Sequence, residues 1–426
     1  MAEIRPFRGL RYDPNQVNPD DVIAPPYDVV GDAAEAALLA RSPYNASHVE
    51  LAPGDPEGRF ERAAEALARW QRDGQLVRDE APAYYLYEQE ATIEGERVHR
   101  RCFFAQLQLA QPEEGVIRPH ESTMAGPRAI RLDLMRATNG NISPIFSMFT
   151  DPAHRAREVL DRAASTPPIF EATDDLGDVH RLWTINDGSD VAALGDVLRD
   201  STVTIADGHH RYHTALDYMA ERPDSEPARY VLMGLIDADD PGLVILPIHR
   251  LVRTEPPADF VERLSERFEV TDLTEELPAG AEGATALLAR VREHAGGPST
   301  FGILEASGRK LLAVGRSSEA IGAAMPSGLS DASQRLDALV LTELILDPLF
   351  GIDAAALTAG AVTFTEDATE AYLGTVEGEY SVAFLVNGTP VRQVIEVADA
   401  GEVMPQKTTF FYPKLATGMV FSLLDE

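Results

Sequence analysis

Cysteine is almost absent from this chain: Cys102 stands alone in 426 residues. One cysteine excludes an intrachain disulfide framework and fits a reducing compartment. It lies in an alternating run and reads as a buried, inert thiol. Lysine is nearly as scarce. Of 37 basic residues only Lys310, Lys407 and Lys414 are lysines. Positive charge as a whole is short, since 69 acidic residues leave a formal net charge of −32. A field of that sign repels phosphate backbones and anionic lipid. The composition therefore argues against nucleic acid and against a membrane surface, and leaves a small molecule as the expected partner. No run of about 18 apolar residues occurs, and the opening MAEIRPFRGL carries no apolar signal core. A cytoplasmic protein is expected, with its oligomeric state left open. The two tryptophans, Trp70 and Trp183, read as packing anchors.

Hydrophobic residues make up 44% of the chain, enough for a substantial core. The length exceeds the roughly 250–300 residues at which single cores stop growing, which suggests more than one domain. Residues 1–30 are rich in loops. An amphipathic helix is expected over 58–74, and two strands over 82–109 around Glu94-Gly95-Glu96. A short strand at 115–118 leads into the polar loop PHESTMAG (119–126). Helices are expected at 129–137 and 152–164, and strands at 180–187, 230–236 and 243–252. A proline pair near 254 opens a new helix–strand unit, so the boundary is set there, giving domains 1–254 and 255–426. Helices over 331–346 and 390–398 fall in the second. Strands alternate with helices throughout, which gives an α/β (mixed α+β) class.

The densest chemistry lies in TVTIADGHHRYHTALDYM, residues 202–219. Val203 and Ile205 make a short buried strand, and Asp207-Gly208 a turn. Tyr212, Ala215, Leu216 and Met219 then form one apolar helix face. This places His209, His210 and Arg211 at a helix start, where unpaired N–H groups and a partial positive charge favour anions, phosphates above all. Asp207 is misplaced for a simple phosphate cradle. A carboxylate there suits Mg2+ or a hydroxyl proton, and the set points to phosphoryl chemistry. Two plainer readings stay open: an N-cap Asp beside surface histidines, and a zinc pair of His209 and His213, which lacks a third ligand nearby.

Several other residues join the candidates. In the loop after 118, Glu121 beside His120 suits a base for an acceptor hydroxyl or a metal ligand, or else is a solvated loop pair. Asp237, Asp239 and Asp240 offer oxygen ligands for Mg2+, with Asp240 foremost, or form an acidic turn. His249-Arg250, at a strand end, suits a phosphate clamp or a structural ion pair. Lys407 and Lys414 stand out because a compact ammonium persists where arginine is the rule. Asn45, Asn141 and Ser143 suit a small polar substrate, and Asp28 in PPYD is turn chemistry by default.

GHHRYHTAL resembles the helix-start motif of sulfiredoxin and the matching box of ParB, and is closer to the Asp-Gly-His-Thr-Arg loop of the ParB/sulfiredoxin-like free-serine kinases. Over nearly its whole length the chain resembles the family called domain of unknown function 1015, through APPYDVV, PHEST, NISPIF, IADGHHRYHTAL, DPGLVILPIHR and MPQKTTFFYPKLATG. The segment GPRAIRLDLM departs from that family's pattern. The resemblance implies a ParB/sulfiredoxin-like nucleotide-binding core with an N-terminal extension and a second, smaller α/β C-terminal domain. It implies a kinase-type phosphotransferase of serine metabolism. ATP, ADP or pyrophosphate would be the donor, with Mg2+, and the hydroxyl of free serine or a similar metabolite the acceptor. Asp207, Glu121 and His120 would carry the chemistry, with Asp207, Glu121 and Asp240 on the metal. Gly208, His209, His210, Arg211, Tyr212, His249, Arg250 and Lys407 would bind the donor. The rivals are a non-catalytic nucleotide-binding regulator and a metal-dependent nuclease or hydrolase, the last disfavoured by the charge.

Overall fold

A computed structural model describes residues 1–121 and 125–424. The chain forms two compact units. One gathers Met1–Pro119, Thr123–Val244 and Pro413–Glu426, the other His120–Ser122 and Ile245–Tyr412. Each has its own sheet, and the mixed α/β class holds in both.

In the first unit the sheet runs in the order Ile117–Arg118, Val203–Asp207, Ile145–Phe149, Tyr230–Asp237, Glu96–Gln108, Tyr84–Ile93, Val179–Ile185, Phe170–Thr173, with Ile4–Arg5 added on Glu96–Gln108. Parallel and antiparallel pairs mix: Val203–Asp207 is parallel to Ile117–Arg118 and antiparallel to Ile145–Phe149. The long hairpin turns at Glu94-Gly95, both at positive φ, as the sequence foretells. Cys102 sits on that hairpin and is 1% exposed, and burial pushes its thiol up to about 12. Leu86, Phe103, Ile145, Val203, Ile205, Tyr212 and Leu216 close one apolar core. Side chains of this size contribute about 1.5–3 kcal/mol each on burial.

The strand Val203–Asp207 positions the site. Ile205 pairs with Ser147 and Asp207 with Phe146, so Ala206 is one residue too many for its neighbour. Such a bulge re-aims the next side chain, here Asp207, at the end of the sheet. The strand therefore includes Asp207, and the turn is Gly208 alone. Gly208 has φ +93° and caps the helix His209–Glu221 without a side-chain cap. That helix buries Tyr212, Ala215 and Leu216, the face its spacing predicts.

The second unit is built on an antiparallel sheet in the order Phe268–Asp272, Lys310–Gly315, Thr300–Glu305, Val382–Leu385, His249–Val252, Val362–Thr365. Both faces are apolar. Phe301, Ile303, Leu311, Ala313 and Phe384 point into one core, and Leu304, Leu312, Ala383 and Leu385 into another. The helix Ala281–Arg292 covers the latter with Ala284, Leu287, Leu288 and Val291.

Two expected elements divide. Residues 243–252 form two strands, Val244–Leu246 and His249–Val252, because Pro247 between them lacks the N–H a ladder needs. His249 thus opens a strand rather than ending one. Residues 331–346 form Asp331–Gln334, Asp337–Leu341 and a wide turn Thr342–Leu346. The first break falls at Leu336, which is extended. Among the described residues no helix is long and apolar enough to cross a membrane.

Candidate functional site

The bulged strand end delivers Asp207 between two cations. Lys414 Nζ lies 2.8 Å from Oδ1, and Arg211 Nη2 donates to Oδ2 at 2.8 Å. Burial alone would raise the Asp207 carboxyl, but Lys414 and then Arg211 override it and hold it well below the usual carboxylate range. Burial would likewise lower the Arg211 guanidinium, and Asp207 overrides that, so its pKa is raised. Arg211 Nη1 donates to the Pro144 carbonyl.

Glycine at 208 is required twice over. Its φ is one that side-chain-bearing residues adopt at a cost of about 1–2 kcal/mol. A Cβ there would also lie 2.9 Å from Arg211 Nε and 3.0 Å from Cζ. The missing side chain is the space through which Arg211 folds back over the turn. His209 is buried; His210 is half-buried, and burial lowers its pKa.

Lys414 reaches Asp207 from a segment fixed by buried side chains. Gln89 Nε2 donates to the Lys414 carbonyl at 2.8 Å, and Arg100 Nη2 donates to Pro413 O and to Gln89 Oε1. Two residues on, Ala416 N donates to Tyr87 Oη at 3.3 Å. Tyr87 is bonded to His180 Nδ1 at 2.7 Å, and His180 Nε2 to Asp174 at 3.2 Å. Thr417 and Ala24 exchange backbone hydrogen bonds. The strap that presents the ammonium is thus tied both to the long hairpin and to the chain just before Tyr27.

Beside Arg211 lies a cavity of about 40 Å³ lined by Glu50, Arg131, Asn141, Ser143, Arg211 and Thr214, among others. Glu50 is 2% exposed; its Oε1 accepts from Ser143 Oγ at 2.9 Å and from Arg131 Nη1 at 3.3 Å. Arg131 stacks 4.1 Å over the Tyr27 ring. Burial raises the Tyr27 pKa, with Arg211, Asp28, Arg131 and Glu50 all close enough to act on it. Asp28 also acts on His210. Sequence reasoning singled out Lys414 but missed Glu50, Arg131 and Tyr27. The signals for Tyr27 and Arg131 were the stretches APPYDVV and GPRAIRLDLM; for Glu50 there was none.

The remaining candidates have the following surroundings. Tyr212 is fully buried, and its hydroxyl spans Ala110, donating to the carbonyl and accepting from the amide at 3.2 Å, so it packs the core. Asn45 brackets the Asp21 and Ile23 carbonyls, and Asn141 accepts from Leu232 N. Asp240 accepts from Gly242 N at 2.8 Å and lines a separate cavity of about 300 Å³ with Asp237, His99 and Arg157. In the second unit, buried His120 meets Thr409 Oγ1 at 2.9 Å, and Glu121 bridges to Met404. The rest of the PHEST stretch, Ser122 and Thr123, lies outside the described residues. Arg250 is 5% exposed, donates to the carbonyls of Ile248 and Lys407, and burial lowers it to about 10. Burial pushes His249 down to about 3; its Nδ1 accepts from Val386 N. Lys407 is exposed with φ +58°.

Asp207, Glu121 and Asp240 are the carboxylates expected to share Mg2+. Among the described residues no group of three or more His, Cys, Asp or Glu side chains could hold a metal ion. That covers both the set Asp207, Glu121 and Asp240 and a zinc site on His209 and His213. Both oxygens of Asp207 are instead engaged by cations.

A mixed α/β protein with a charged strand–glycine–helix turn is the class these observations define. The family described as "Protein of unknown function (DUF1015)" matches residues 4–338, and the chain belongs to it. No curated protein matches. Among solved structures, a free serine kinase in complex with AMP is similar at 15% identity and TM-score 0.33, covering 73% of this chain and 86% of that one. A conserved hypothetical protein from Pyrococcus furiosus is similar at 15% identity and TM-score 0.33, covering 76% and 96%. SbnI from Staphylococcus aureus, with a C-terminal truncation, is similar at 11% identity and TM-score 0.35, covering 76% and 89%.

Proposed function

We propose that the chain is a phosphotransferase. The turn Asp207–Arg211 receives the phosphates of ATP, ADP or pyrophosphate, and a phosphoryl group passes to the hydroxyl of free serine or a similar small metabolite. The observation that carries this is the pairing of Asp207 with Lys414 and Arg211 at a glycine-opened helix start. The cluster brings two cations and the first helical amides to one point, which suits a polyanion. An incoming phosphate shares Lys414 and Arg211 with Asp207 and needs no new charge brought in.

Asp207 then acts as the counter-charge that keeps both cations aimed. Its depressed pKa makes it a weak base near neutrality, where a matched pKa serves proton transfer best. Glu121 is assigned the acceptor's proton on the sequence resemblance. Gly208, His209 and His210 line the turn. Among the described residues no group of three or more His, Cys, Asp or Glu side chains around Asp207 could hold a metal ion. A ParB/sulfiredoxin-like core in the first unit, with a smaller α/β domain in the second, belongs to the same proposal.

The test is mass spectrometry of the intact protein's reaction with L-serine, Mg2+ and each donor in turn. Phosphoserine is expected, with a loss of 10²-fold or more in Glu121→Gln, the usual scale of a general base. Nucleotide bound tightly but recovered unchanged with every hydroxyl metabolite would overturn the transfer and favour a nucleotide-binding regulator.

A further inference from the structure

The small cavity beside the turn has chemistry the phosphate reading leaves unused. Arg131 and Arg211 both line it, and each side chain is 10% exposed. The Nε–H of each is buried and, among the described residues, has no hydrogen-bond partner. A buried unsatisfied donor of this kind costs about 1–3 kcal/mol, more on a charged group. Both arginines line the cavity, so a ligand bound there that reached these donors would relieve that cost.

The charges say what kind of ligand. Lys414, Arg211 and Arg131 stand against Asp207 and Glu50, which leaves one positive charge in excess. Asp28 is exposed, and water screens it. The size narrows it further. A water needs roughly 10–15 Å³ by this measure, so about 40 Å³ admits about three water-sized groups. That suits the bulk of a carboxylate. A guanidinium fork matches the geometry of a carboxylate or a phosphate, and the small volume favours the former.

We infer that this cavity is a carboxylate subsite, with Arg131 and Arg211 as its donors and Glu50 and Ser143 holding Arg131 in place. Its occupant is the carboxylate of the acceptor, whose hydroxyl then faces the 207–211 turn. Naming the occupant as acceptor rests on the phosphotransferase reading; the subsite itself does not. The acceptors are therefore small hydroxy acids, amino acids among them, rather than neutral polyols.

Ligand-observed NMR on the intact protein tests this with three probes: glycolate, its neutral isostere glycolamide, and pyrophosphate. Glycolate is expected to bind at least about tenfold more tightly than glycolamide, the equivalent of about 1.4 kcal/mol. It should bind together with pyrophosphate rather than in competition. Arg131→Met should abolish glycolate binding and keep pyrophosphate binding. Arg131→Lys, which keeps the charge and loses the planar fork, should weaken glycolate about tenfold and guards against a misfolded Met variant. Equal binding of glycolate and glycolamide, one-for-one displacement by pyrophosphate, or unchanged glycolate binding in Arg131→Lys would each overturn the subsite. Glycolate binding without any pyrophosphate binding would overturn the phosphotransferase reading and leave the subsite standing.

Discussion

The dipeptide His-Arg occurs twice in places that sequence reasoning assigned to phosphate, at 210–211 and at 249–250. The surroundings make them opposites. Arg211 is paired with a carboxylate that raises its pKa, and it lines a cavity. Arg250 ends on two backbone carbonyls, and burial lowers it to about 10. His210 is half-buried beside Asp28 and Asp207, while His249 is sealed within the second unit's sheet. A cation with a carboxylate partner at a strand end can be shared with a ligand. A cation satisfied by carbonyls inside a sheet is part of the scaffold. Residue type does not separate the two; the third partner does.

Four substitutions would break or sharpen this contrast. The largest effect belongs to Asp207→Ala, which leaves Lys414 and Arg211 largely buried without their counter-charge. Denaturant unfolding should show a loss of about 3–5 kcal/mol. Gly208→Ala comes next. Strain at positive φ and the displaced Arg211 guanidinium together should cost about 2 kcal/mol and weaken pyrophosphate binding about tenfold.

His249→Gln tests the other pair through pH. The His249 pKa falls from 6.5 to about 3 on folding, so between those values the unfolded chain binds the extra proton. Native stability is therefore lost as pH falls through that window. At about pH 5.5 the wild type should have lost about 1.4 kcal/mol that the variant keeps, read from urea midpoints at pH 7 and 5.5. Asp337, raised by burial to about 6, has the opposite sign but is common to both proteins. Arg250→Met should cost about 1–3 kcal/mol, because the Ile248 and Lys407 carbonyls lose their donor and Asp337 loses its nearby cation. Pyrophosphate binding should not change.

Local pattern made much of the site legible. The 3.6-residue spacing of Tyr212, Ala215, Leu216 and Met219 fixed the helix, and Gly208 fixed the turn before it. The rarity of lysine pointed to Lys414. What stayed hidden depends on contacts far apart in sequence. Glu50 meets Arg131 and Ser143, and Ala24 pairs with Thr417, with no local signal for either. Asp207 read as a turn carboxylate suited to Mg2+ or a hydroxyl proton; its ion pairs with residues 211 and 414 had no local signal. The return of residues 413–426 to the first unit likewise has no compositional marker.

Calorimetric titration of pyrophosphate into the intact chain and into Arg211→Met tests the anion-binding turn most directly. Binding that weakens with added salt and falls tenfold or more in the variant is predicted, with Arg250→Met matching the wild type. No binding to the wild type, or equal binding to Arg211→Met, would contradict it.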